Sequence, residues 1–173
     1  GSADAGTRLV MFGDVQIPFH DTRVLGGVSR FLTHWKPNVL VLLGDIADFY
    51  AISDFDRSPL RLHNFQDEIE EVRYWLRRWR EDVGSECSIY YIEGNHEERW
   101  RRFLLRRAPE LAGVEGMTLT SLLGLEGLGM TLIAYEGYLD YLSFRMMHGS
   151  IVSNAAPAAG MTARRYIIAE GGS

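Results

Sequence analysis

The sequence holds a single cysteine, Cys87, in 173 residues. That excludes an internal disulfide framework and any zinc cluster built on cysteines. Lysine is equally scarce: Lys36 stands alone, and arginine carries the rest of the positive charge. No apolar run approaches the ~18 residues of a membrane span, so no membrane partner is expected. No secretory leader opens the chain, and with so little cysteine the expected location is cytoplasmic. An excess of positive charge is also missing. Lys+Arg 18 against Asp+Glu 23 gives a net charge of −5, so bulk electrostatics do not draw the chain to nucleic acid. Internal repeats, low-complexity tracts and linkers are absent. The expectation is therefore one domain over residues 7–173, with Gly1-Ser2 set aside as a remnant of expression cloning.

What is present is material for a core, with 46% hydrophobic and 24% charged residues. Apolar runs at Leu9–Phe12, Val39–Leu43 and Ser88–Ile92 read as buried strands. Between them lie two helical patterns. In the first, Thr22 is the expected cap and Val24, Leu25, Val28, Phe31, Leu32 and Trp35 share a face, before Pro37-Asn38 breaks it. In the second, Asn64 caps a stripe of Phe65, Ile69, Val72, Leu76, Trp79 and Val83. Residues 49–62 read as loops and short turns. A charged helix follows over Glu97–Arg107, closed by Pro109. Strands are expected at Met130–Ala134 and Leu142–Met147, then a Gly/Ala/Ser-rich loop and a short helix over about Thr162–Ala169. Strand, helix, strand, helix, strand predicts an α/β fold with a largely parallel sheet.

In such sheets ligands gather beyond the carboxyl ends of the strands. Polar residues stand just there: Asp14, Asp45, Asn95 and His148 each follow an apolar run. Neighbouring strand tips lie about 4.8 Å apart, so these side chains can converge. Two carboxylates, an amide oxygen and an imidazole suit Mn²⁺, Fe²⁺, Zn²⁺ or Ni²⁺ better than Ca²⁺. Two such ions about 3.5–4 Å apart would share a carboxylate and clamp a phosphoryl group. His96 is placed to protonate a leaving oxygen, with Asp48 or Glu97 orienting it.

Gly13-Asp14-Val15-Gln16, Gly44-Asp45-Ile46-Ala47-Asp48, Gly94-Asn95-His96-Glu97 and His148-Gly149 appear in that order. The set resembles the calcineurin-like metallophosphoesterase superfamily over about residues 9–149. The resemblance implies a metallophosphoesterase sandwich, a βαβαβ core with helices outside. It implies that Asp45 bridges two metal ions, with Mn²⁺ the first choice, that Asp14 binds the first, and that Asn95 and His148 bind the second. It makes His96 the general acid, Asp48 its partner, and Arg99 a contact to a phosphate oxygen, for which the guanidinium fork is suited. Gln16 takes the place where the family usually has histidine, so this ligand is expected to be weaker. The last family motif, Gly-His-x-His, does not occur, so the fold is expected to be incomplete at the C-terminus and the chain impaired.

The expected activity is hydrolysis of phosphate mono- or diesters, with a nucleotide, cyclic nucleotide or phosphoprotein as substrate. The alternative is a binding or scaffold module that keeps the fold without the metal centre. A nucleotide-binding domain without metal would need a glycine-rich phosphate loop, which is lacking. Arg101, Arg102, Arg106 and Arg107 with Trp100 offer a nucleic-acid groove, although a solvated helix face is the favoured reading, so nucleic acid is a possible but not favoured partner. For His20, a loop-stabilising role outweighs a part in the site. Trp75 and Trp79 read as core, and Cys87 as inert.

Overall fold

A computed structural model describes residues 6–53, 64–153 and 167–170. β1 (Arg8–Phe12), β2 (Val39–Leu42), β3 (Ser88–Ile92) and β4 (Met130–Ile133) run parallel. With β8 (Ile167–Glu170) they form a five-stranded sheet of order β4-β3-β2-β1-β8. Helices α1 (Thr22–Trp35) and α2 (Phe65–Val83) are the crossovers between the first three strands. α3 (Glu98–Arg107) and the short α4 (Leu119–Leu123) connect β3 to β4. A second, antiparallel sheet is built from β5 (Leu139–Tyr141), β6 (Phe144–Met147) and β7 (Ser150–Ser153).

The period of two along the strands separates two cores. Val10, Phe12, Leu40 and Leu42 point to one face, where they meet Leu25 and Leu32 of α1 and Val72, Leu76 and Trp79 of α2. Leu9, Met11, Val39 and Val41 point to the other, where Met146 of the second sheet packs against them. Strands buried on both faces read as continuous apolar runs, which is why β1 and β2 show no polar alternation. The layers are helices, main sheet, second sheet. Trp79 is fully buried and meets the Phe12 ring edge-on at 5.0 Å.

Three details differ from the sequence reading. Asp21, not Thr22, caps α1: its Oδ1 accepts from the Arg23 amide at 2.8 Å, and Thr22 becomes the first helical residue. Asn64 caps α2 as expected. The strand expected at Leu142–Met147 is present as β6 over Phe144–Met147, but it starts later, with Leu142 at φ 54° in the turn that joins it to β5. The helix placed at Thr162–Ala169 is replaced over its last residues by β8, which pairs antiparallel with β1. A β-branched pair, Ile167-Ile168, beside the open edge of β1 gains a ladder there that a short isolated helix cannot match. Residues 162–166 of that expected helix, like 54–63 of the expected loop, lie outside the described residues. Among the described residues no helix is long and apolar enough to cross a membrane.

Candidate metal centre

The loops after β1 and β2 continue side by side beyond the sheet. Asp14 N donates to Gly44 O at 3.0 Å and Gln16 N to Asp45 O at 2.9 Å. Asp14 (φ 54°), Gln16 (φ 54°) and Asp45 (φ 50°) all adopt left-handed backbone. Such conformations cost non-glycine residues of order 1 kcal/mol or more each and concentrate at functional sites. Two glycines make the crowding possible. Gly44 has φ +83°, and a Cβ there would stand 2.7 Å from both Gly94 N and His148 Nδ1. A Cβ on Gly94 would collide with the Asp45 carboxylate.

This packing brings Asp14, Asp45 and His148 together, with one ligand atom from each within 4.8 Å of the others. His148 is oriented by the backbone. Its Nδ1 lies 2.7 Å from Leu43 O, and a carbonyl only accepts, so Nδ1 carries the proton. The Nε2 lone pair then faces Asn95 Oδ1 at 3.0 Å and Asp45 Oδ2 at 3.5 Å. An imidazole lone pair aimed at a carboxylate and an amide oxygen is repulsive unless a cation or a proton lies between them. The donor set therefore fits a divalent ion, with the Leu43 carbonyl as the outer partner that fixes the tautomer. Gln16 is exposed beside Asp14 and held through its backbone.

His96 lies next to this cluster. Its backbone N–H donates to Asp45 Oδ1 at 3.0 Å, and its Nδ1 sits 2.5 Å from Asp48 Oδ1. Its Nε2 is 3.8 Å from Asp45 Oδ2. Burial works against the imidazolium, but the Asp48 bond and the Asp45 charge outweigh it, so His96 titrates above its ordinary value. Arg99 donates to Asp48 O at 2.7 Å and reaches 3.3 Å from His96 Nε2. Asp48, His96 and Arg99 thus form one connected group.

Sequence reasoning left Asp48 or Glu97 as the partner of His96. Asp48 is that partner, and Glu97 does something else. Its side chain is fully buried and turned inward. Oε2 accepts from the amides of Asp45 and Gly94, both at 2.9 Å. Oε1 accepts from Ile46 N at 2.7 Å, Ala47 N at 3.0 Å and Tyr91 Oη at 2.7 Å. One carboxylate so ties the loop after β2 to the loop after β3. Burial raises its pKa despite the Tyr91 bond, and burial with the Glu97 charge pushes Tyr91 well above its usual range. The sequence signal for this role was Tyr91, one of two tyrosines in the strand Ser-Ile-Tyr-Tyr-Ile, six residues before an acid in the loop that follows.

The remaining candidates lie outside the cluster. His20 accepts from Trp75 Nε1 at 3.1 Å and secures its loop to α2. Trp75 and Trp79 are core, and Cys87 is buried just before β3. Trp100 is buried, stacks on Phe65 and Phe103, and donates to Met117 O. It therefore offers no face to a base, which corrects the groove considered from sequence. Arg101 and Arg102 both pair with the buried Glu98.

No family model matches the chain. Over 130 residues it is 26% identical to the Gene 54 proteins of Mycobacterium phage D29 and Mycobacterium phage L5. The match covers 73% of this chain and 50% of each relative, so the chain spans about half the length of the curated relatives it matches. Neither printed name states an activity.

Proposed function

We propose that this chain is a metal-dependent phosphoesterase of the calcineurin-like type, acting on phosphate mono- or diesters. The observation that carries the reading is the convergence of His148 Nε2, Asn95 Oδ1 and Asp45 Oδ2, 3.0 Å and 3.5 Å from the ring nitrogen, with Asp14 completing the cluster. Asp14, Asp45, Asn95 and His148, with Gln16 at the rim, would hold two divalent ions, Mn²⁺ being the best match to mixed oxygen and imidazole donors. Such ions supply Lewis acidity toward a phosphoryl oxygen and acidify water for attack. The protein's own groups do the rest. Asp48 holds the His96 ring by Nδ1, which leaves Nε2 to pass a proton to the departing alcohol. Arg99 is anchored by the Asp48 carbonyl, and its guanidinium offers N–H groups to a non-bridging phosphate oxygen. Glu97 fixes the amides around Asp45, so the carboxylate does not have to be ordered when substrate binds.

Gln16 favours a second reading, a fold retained for binding without turnover, because a neutral amide is a weaker ligand than imidazole. Hydrolysis of 4-nitrophenyl phosphate and bis(4-nitrophenyl) phosphate separates the two. The enzyme reading expects Mn²⁺-dependent turnover of at least one ester, abolished by a chelator and by Asp45→Asn. Absence of both turnover and Mn²⁺ uptake from a folded protein supports the second reading.

A further inference from the structure

The residues from 98 to 107 contain five arginines and one acid, Glu98, in a chain whose net charge is −5. That acid is buried and shared by Arg101 and Arg102. α3 therefore carries a concentrated excess of positive charge, and its first turn begins where the Gly94-Asn95 loop ends. At about 100° per residue, Arg99, Arg102 and Arg106 fall within an arc of about 60°. Arg99 is 21% exposed and in contact with His96 and Asp48. The Arg102 side chain is 62% exposed, and Arg106 is exposed and leans back on the Arg102 carbonyl. At 1.5 Å per residue the row runs about 10 Å from the candidate centre along the helix.

We infer that this row of arginines binds the phosphates of a single-stranded nucleic acid that extends beyond the scissile phosphate. The inference rests on the phosphoesterase reading for which end of the row meets the reacting ester. Arginine forks match phosphate oxygens, and a row longer than a nucleotide's own phosphate chain suits a strand. Leu105, 49% exposed, lies about 60° past Arg102 at the edge of the arc and offers an unstacked base an apolar surface there. The acidic remainder of the molecule disfavours a long duplex, which would press its second strand against net negative charge.

The test is binding of a fluorescent ten-nucleotide single strand, read by anisotropy in chelator, so that it does not depend on turnover. Arg106→Ala and Arg107→Ala remove the same charge from neighbouring positions, but Arg107 lies roughly 80° beyond the edge of the arc. The inference expects Arg106→Ala to weaken binding about five-fold and to lower the salt slope by about 0.7, and Arg107→Ala to change little. Arg102→Lys with Arg106→Lys keeps the charge but not the planar fork, so it should hold the salt slope while weakening affinity, and thermal melting checks that each variant folds. Equal losses at Arg106 and Arg107, no binding by the unaltered protein in low salt, or tighter binding of a duplex of the same sequence would each overturn it. Strand binding without ester hydrolysis would count against the phosphoesterase reading and leave the arginine row standing. Hydrolysis of aryl esters without strand binding would do the reverse.

Discussion

At the scale of single residues, the account depends on where protons and lone pairs sit. Glu97 accepts five hydrogen bonds in a fully buried position. Glutamine has the same shape, but one of its two head atoms donates, so at least two backbone or phenol donors lose their acceptor. Glu97→Gln should destabilise the chain by about 2–4 kcal/mol in urea unfolding with chelator present. A change below about 0.5 kcal/mol would mean the clasp is not structural. Glu68 offers a second test, away from the metal cluster. It is buried, accepts from Tyr50 N at 3.0 Å, and has Oε2 without a hydrogen-bond partner among the described residues. Burial raises its pKa to about 7, opposed by the amides of Tyr50, Ala51 and Phe49 and reinforced by the Asp48 charge. A carboxyl group whose folded pKa exceeds its unfolded value binds its proton more tightly when folded. Its ionisation therefore costs stability as pH rises from about 4.5 to about 7. Relative to the unaltered protein, Glu68→Gln should gain on the order of 2–3 kcal/mol between pH 4 and pH 8. A difference that stays flat across that range would refute the assignment.

At the scale of elements, the sequence was most legible where periodicity was sustained and least where a short segment depends on a distant partner. The α2 stripe and its Asn64 cap were readable because nineteen consecutive residues repeat one pattern. The cap of α1 was not, because Asp21 and Thr22 are adjacent and both are good capping types. The structure settles it through the Asp21–Arg23 bond. Asp21→Ala should cost about 1 kcal/mol in thermal or urea unfolding, and Thr22→Ala less than about 0.5. The opposite ranking would restore Thr22 as the cap. β8 was misread because the β-branched pair Ile167-Ile168 is too short a local signal to decide, and its hydrogen bonds go to β1, far away in the chain. The β5–β6 turn was missed because Leu142 takes a left-handed conformation that its side chain does not advertise.

At the scale of the whole molecule, the parallel order β4-β3-β2-β1 follows from apolar runs alternating with helices, and that much was readable in advance. So was the meeting of Asp14 and Asp45, because parallel strands deliver their last residues to one edge, whereas His148 arrives from the β6–β7 turn of the antiparallel sheet. The separation of labour around them was not readable. That Asp48 orients His96 while Glu97 clamps two loops depends on which way adjacent side chains turn at a bend. Nor could the sequence show that Trp100 is buried. The central claim is that these strand ends form a divalent cation site. Isothermal titration of Mn²⁺ into the unaltered protein and into Asp45→Asn and His148→Ala tests it most directly. The account predicts saturable uptake by the unaltered chain and at least ten-fold weaker binding by each variant. Absence of uptake, or equal uptake by all three proteins, would contradict it.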